Sequence, residues 1–217
     1  MTDDVIAVAF DYGGVLTTPL APAFSAWAQA DRIDPESLSA ALREWLAPDG
    51  PADNPVHRLE TGRLDHAEFG ALLAARLRRL DGSEVPAEDL MERLFAGLRL
   101  EPSMLELVAS LRERGVATAL LSNSWGNSYP MEVLQPLFDV VVISGEVGLR
   151  KPDPAISSHT LDALGVPASR AAFVDDLEHN VAAARALGMH GVLHVDAPTT
   201  TAILNDLIRP IEENLHA

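Results

Sequence analysis

Val5-Ile6-Ala7-Val8-Ala9-Phe10 runs straight into Asp11-Tyr12-Gly13-Gly14 near the start of the chain. The run is continuously apolar, so it predicts a short strand buried on both faces, as in the middle of a parallel sheet. The glycine pair predicts a turn in which backbone can approach a ligand closely. Four later runs have the same character, at 116–121, 140–143, 171–174 and 192–195. Helix signals separate them. Pro102 precedes a periodic stretch over 104–114 that stops at Gly115, and Asp153-Pro154 opens a stretch ending near Gly165. An alanine-rich stretch over 178–187 stops at Gly188, and 200–208 predicts a last helix. This alternation predicts an α/β fold, a doubly wound parallel sheet whose ligands bind at the C-terminal ends of the strands.

Between the first run and Pro102 the strand pattern disappears, and 24–30, 35–46, 66–80 and 86–95 read as helices divided by Pro, Gly and Asp. Asp65 with Glu68 three positions on predicts a reciprocal helix cap. So long a helical block exceeds a simple crossover. It predicts an inserted helical cap at 18–97 over a core made of 1–17 and 98–217, with hinges near 16–22 and 97–102.

Thirty-two acidic side chains against sixteen Lys and Arg give a formal charge of -16. Such a surface repels nucleic acid and anionic membranes, and neither is expected as a partner. Nearly half the residues are apolar, at 47%, which predicts a folded domain rather than a disordered one. No cysteine occurs, which removes disulfides and thiolate chemistry. The start lacks a basic segment, and its apolar run is too short for a signal or a membrane span, so the cytoplasm is the expected location.

Polar groups recur where predicted strands end: Asp11 after the first, Ser122 and Asn123 after the second, Asp175 and Asp176 after the fourth. A lone strand-end Asp is usually a cap or turn residue. Three clusters at one sheet edge instead predict a site. Crowded carboxylates require a cation or shared protons, and Mg²⁺ suits both carboxylate oxygens and a substrate phosphate. Asp11 is then a carboxylate nucleophile. Ser122 and Asn123 are candidate hydrogen-bond donors to phosphoryl oxygens. Lys151 is a candidate cation to neutralise phosphate and nucleophile; Arg150 beside it has no clear role. Trp125 either lines a pocket or packs against the cap, and Tyr12 faces the cap or closes the pocket. Trp27, Trp45, Phe69 and Phe95 read as cap packing. Arg58 and Arg63 fall between predicted cap helices, on solvated surface.

These segments resemble the haloacid-dehalogenase superfamily of hydrolases, in the form with a helical cap inserted after the first core strand. The resemblance rests on Val8-Ala9-Phe10-Asp11-Tyr12-Gly13-Gly14-Val15-Leu16, Leu121-Ser122-Asn123, Arg150-Lys151-Pro152-Asp153-Pro154 and Phe173-Val174-Asp175-Asp176. It implies an aspartyl-phosphate on Asp11, a transferring group bound by Ser122 with Asn123, Trp125, Tyr12 and Gly14 around the substrate, and Lys151 as electrostatic clamp. It further implies Mg²⁺ held by Asp11, the Gly13 carbonyl and Asp175, with Asp176 supporting. The implied activity is hydrolysis of a small phosphorylated metabolite by a monomer or homodimer. Family phosphatases usually place an acid–base Asp two residues past the nucleophile, where this chain has Gly13. In that respect it is similar to glycine-bearing glucose-phosphate phosphatases; the amino-terminal domain of bifunctional epoxide hydrolases is a further similar form. A metal-independent 2-haloacid dehalogenase and a weakened phosphate- or metal-binding regulatory protein are the alternative expectations.

Overall fold

The computed structural model describes residues 4–46, 53–126 and 129–208. The opening run forms β1 (Ala7–Phe10), buried along its whole length. The chain then leaves the sheet through α1 (Leu20–Ala30), α2 (Pro35–Trp45), α3 (Pro55–Glu60), α4 (His66–Arg76) and α5 (Leu90–Phe95). It returns through α6 (Pro102–Glu113) to β2 (Ala117–Ser122), followed by α7 (Met131–Leu134), β3 (Val140–Ile143), α8 (Ser144–Val147) and α9 (Pro154–Leu164). β4 (Ala171–Asp175), α10 (Glu178–Ala186), β5 (His190–Leu193) and α11 (Ala197–Leu207) complete it. All strands are parallel, in the order β3-β2-β1-β4-β5.

Alternate residues of the central strands feed two separate cores, as a sheet covered on both faces requires. Val8, Phe10, Leu120, Ala172 and Val174 pack with α6 and α11 through Met104, Val108, Leu111 and Leu204. Ala7, Ala9, Leu121, Ala171 and Phe173 pack on the other face with Ile156 of α9 and Ala184 of α10. A third cluster lies in the inserted helices and joins Trp27, Trp45, Val56, Phe69, Leu73, Leu90 and Leu94. The chain enters and leaves the insertion as two paired extended segments: Thr17 bridges Leu100, the Thr18 N–H donates to the Arg99 carbonyl at 2.8 Å and the Glu101 N–H to the Leu16 carbonyl at 2.9 Å.

Several predicted boundaries move, each for a local reason. The predicted 66–80 helix ends at Arg76 because the chain turns extended to pair with the α1–α2 connection; the Asp34 N–H donates to the Arg78 carbonyl at 2.8 Å. The predicted 86–95 helix begins only at Leu90, after Asp89 in a left-handed conformation at φ 49°. β5 lies two residues earlier than the 192–195 run, which leaves Val195 outside the strand and 73% exposed. α3 lies where no helix is predicted: Asn54 accepts from the His57 N–H at 2.9 Å, and Pro55 occupies the first turn. The reciprocal cap of Asp65 and Glu68 is present, with the Glu68 N–H donating to Asp65 at 2.7 Å. Among the described residues, no helix is long and apolar enough to cross a membrane.

Candidate active site

Strand register explains which polar residues meet. Phe10 pairs with Val174 on one side and Leu120 on the other, so Asp11 lies level with Asp175 and one step short of Ser122. The Asp11 N–H donates to the Val174 carbonyl at 2.9 Å and prolongs the ladder to the sheet edge. Lys151, from the loop ahead of α9, brings its Nζ to 2.6 Å from Asp11 Oδ1 and 2.7 Å from Asp175 Oδ2. All three side chains are buried. Asp176 completes the group: one carboxylate oxygen from each of Asp11, Asp175 and Asp176 lies within 4.8 Å of the others.

Three carboxylates face one ammonium, and the titration of the groups registers the surplus. Burial raises Asp11 to about 7, with Asp175 and Asp176 adding to the rise and Lys151 opposing it. Burial and Asp175 likewise raise Asp176 to about 6 against the pull of Lys151. Burial disfavours the Lys151 charge, but Asp11 and Asp175 outweigh it and hold the ammonium well above its ordinary value. A net negative cluster of oxygen donors fits a hard divalent cation. Asp175 is the most committed of the three: it accepts from Lys151, from the Leu177 N–H at 2.9 Å and from Asn180 Nδ2 at 3.0 and 3.1 Å.

The glycine turn shapes the other wall. Gly14 adopts φ +78°, and a Cβ there would fall 2.4 Å from Asp176 Oδ2, so no larger residue fits while Asp176 holds this position. A Cβ on Gly13 would meet Leu20 first, at 3.4 Å, an ordinary contact. Ser122 ends β2 rather than following it, and its Oγ lies 2.9 Å from the Tyr129 hydroxyl. Tyr129 stacks at a tilt on Tyr12, with centroids 4.7 Å apart, and burial pushes its hydroxyl up to about 12, so it stays protonated near neutrality. No strand-end spacing marks Tyr129 in the sequence.

Asn123 is a strut in this arrangement. Its Oδ1 accepts from the Lys151 N–H at 2.8 Å and its Nδ2 donates to the Lys151 carbonyl at 3.1 Å, tying the loop after β2 to the lysine loop. Trp125 packs into the inserted helices, with its ring 5.6 Å from Phe69 and 6.3 Å from both Phe24 and Phe95. It also lines an apolar hollow there with Trp27, Trp45 and Leu73. Arg150 has a partner after all: its Nε donates to the buried carboxylate of Glu60 at 2.5 Å. Arg58 and Arg63 face Asp53 at 4.0 and 3.7 Å.

A parallel sheet with a buried carboxylate–lysine cluster at its C-terminal edge, and helices inserted directly after the first strand, defines a capped α/β hydrolase. The chain belongs to the haloacid dehalogenase-like hydrolases, whose family model matches residues 6–188. It is 26% identical over 211 residues to bifunctional epoxide hydrolase 2 of Sus scrofa, covering 89% of this chain and 37% of that protein. The chain thus spans little more than a third of that relative. It is 32% identical over 155 residues to a sesquiterpene phosphatase of Aspergillus oryzae, covering 70% of this chain and 78% of the other. Among solved structures, a HAD family enzyme of Bacteroides thetaiotaomicron, in complex with magnesium and inorganic phosphate, superposes with a TM-score of 0.67. That pair is 20% identical, over 88% of this chain and 94% of the other.

Proposed function

We propose that the chain is a Mg²⁺-dependent hydrolase of a small phosphate monoester, acting through an aspartyl-phosphate on Asp11. The observation that carries this reading is Lys151 Nζ, held 2.6 Å from Asp11 and 2.7 Å from Asp175 beside a third carboxylate. Asp11 attacks phosphorus, the ester oxygen departs, and water then releases phosphate from the acyl phosphate. Lys151 offsets charge on the phosphoryl group, and Ser122 with Tyr129 supplies hydroxyl hydrogen bonds to its oxygens. Asp11, the Gly13 carbonyl and Asp175, supported by Asp176, would hold Mg²⁺, Asp175 also anchoring Lys151. Bound there, Mg²⁺ neutralises the carboxylates and the incoming phosphate. Tyr12 and Gly14 border the substrate, and residues 18–97 form a cap that selects its organic portion. The sesquiterpene phosphatase among the similar proteins favours an apolar organic group.

The test is phosphate release from a phosphomonoester panel with metal-loaded protein. Release that disappears with chelator and falls more than about 10⁴-fold in Asp11→Asn supports the reading. No release across the panel removes it. Halide release from 2-haloacids that survives chelation would substitute a dehalogenase. Gly13 favours one further reading, a protein that binds phosphate and metal without turnover, because general acid–base catalysis is worth about 10²–10⁴-fold and the usual Asp is missing.

A further inference from the structure

Glu60 ends α3 in the inserted helices, yet its hydrogen bonds run to the core. It is 5% exposed. Its Oε1 accepts from Trp125 Nε1 at 2.9 Å, its Oε2 accepts from Arg150 Nε at 2.5 Å, and its main-chain carbonyl accepts from the Ser144 hydroxyl. Ser144 Oγ in turn accepts from the Ser124 N–H at 2.8 Å. Two residues beyond Glu60, Gly62 lies so close to α8 that a Cβ would come 2.3 Å from the Gly145 carbonyl oxygen. The inserted helices and the core are therefore interlocked at this seam, with a buried charge at its centre. Such a carboxylate is costly unless it stays paired.

The two donors are placed to matter for chemistry. Arg150 immediately precedes Lys151, and Trp125 lies three residues beyond Ser122. Asn123 already cross-links these two loops through the Lys151 backbone. Glu60 closes the circuit from the cap side: loop to carboxylate to loop, with Ser122 at one end and Lys151 at the other. A cap that lifts takes the acceptor with it and leaves a guanidinium and an indole N–H unpaired.

We propose that Glu60 is a positioning residue, a cap carboxylate that makes the alignment of the Ser122 and Lys151 loops conditional on a seated cap. The cap then acts on the chemistry through a bond network as well as by covering the site. The kinetic side of this proposal rests on the phosphatase reading; the structural side does not.

The experiment combines two readouts on wild type, Glu60→Gln, Glu60→Ala, Arg150→Gln and the Glu60→Gln/Arg150→Gln double variant. Kinetics on a phosphomonoester that wild type hydrolyses should show kcat lowered about 10- to 10²-fold in each single variant, with KM changed by less than about threefold. The double variant should be no worse than the weaker single, because one interaction is removed by either change. Amide exchange should rise at Asn123 and Lys151 in Glu60→Ala without a rise in β1 and β4, which separates positioning from general destabilisation. Arg150→Gln keeps Glu60 and its Trp125 bond, and it carries the exchange test if Glu60→Ala does not fold. Wild-type kcat in the single variants, losses that multiply in the double variant, or unchanged exchange at Asn123 and Lys151 overturns the proposal. If wild type hydrolyses nothing, the phosphatase reading falls, and the exchange measurement alone decides the clasp.

Discussion

The sheet edge and the interior of the inserted helices are both buried, and they are built on opposite terms. At the edge, Asp11, Asp175 and Lys151 are packed together almost without solvent, and burial, with the neighbouring carboxylates adding to it, raises Asp11. In the cap, Trp27, Trp45, Phe69, Leu73 and Leu94 bury apolar surface against one another. The cap interior is stabilising wherever its side chains pack. The edge is a concentration of unfavourable charge that the strand ladders and two packed faces hold in place. Chemistry and stability are thus sited in different parts of the chain, and substitutions should separate them.

The largest effect expected is a gain at the edge. Gly13→Asp introduces the acid–base carboxylate that the phosphatase reading lacks, and a Cβ there meets its nearest neighbour, Leu20, at an ordinary 3.4 Å. Phosphate release should rise by up to about 10²–10⁴-fold, measured on the best substrate from the panel. A variant that folds, binds Mg²⁺ and gains nothing would show that the edge already has its proton source, or that it binds without turnover. Either result breaks the view of the edge as a catalyst short of one group.

A loss in the cap comes next. Phe69 is 1% exposed, and its ring lies 5.6 Å from both Trp45 and Trp125. Phe69→Ala should cost about 3–5 kcal/mol in chemical denaturation. Mg²⁺ affinity by calorimetry, under conditions where the variant is still folded, should change by less than about twofold, since no edge ligand moves. An equal collapse of metal binding would show that 18–97 is not an energetically separate unit.

Which features could be read without coordinates follows from how local their causes are. Asp11, Ser122 and Asp175 were legible because each ends an apolar run, and parallel strands in register carry such ends to one edge. Lys151 stood out as a cation in an acidic chain. The capping pair Asp65 and Glu68 is local, and it formed as read. α3 went unread because a six-residue helix is too short to show an apolar period. Tyr129 and Glu60 were not legible, because their meaning lies in partners reached across the fold: Ser122 for one, Trp125 and Arg150 for the other. The 66–80 helix failed for the same reason, its last turn yielding to pairing with the segment near Ile33.

The smallest effect sharpens the contrast through pH. Asp11 rises from 3.8 to about 7 on folding, largely through burial. A raised carboxylate binds more protons in the folded state than in the unfolded one, so its contribution is fully present below the unfolded value and is lost as pH climbs through the folded one. Metal-free protein should therefore lose stability between about pH 4 and pH 7, by up to about 4 kcal/mol, in urea titrations with chelator present. Asp11→Asn removes the more strongly raised of two carboxylates and should reduce that slope, Asp176 keeping part of it, and saturating Mg²⁺ should flatten it for wild type by favouring the ionised form. Phe69→Ala should lower the curve while leaving the Asp11 slope in place, because it removes no titrating group. A wild-type curve that is flat or rising over this range would mean that Lys151 already compensates the edge, and the charge surplus that calls for a divalent cation would be gone.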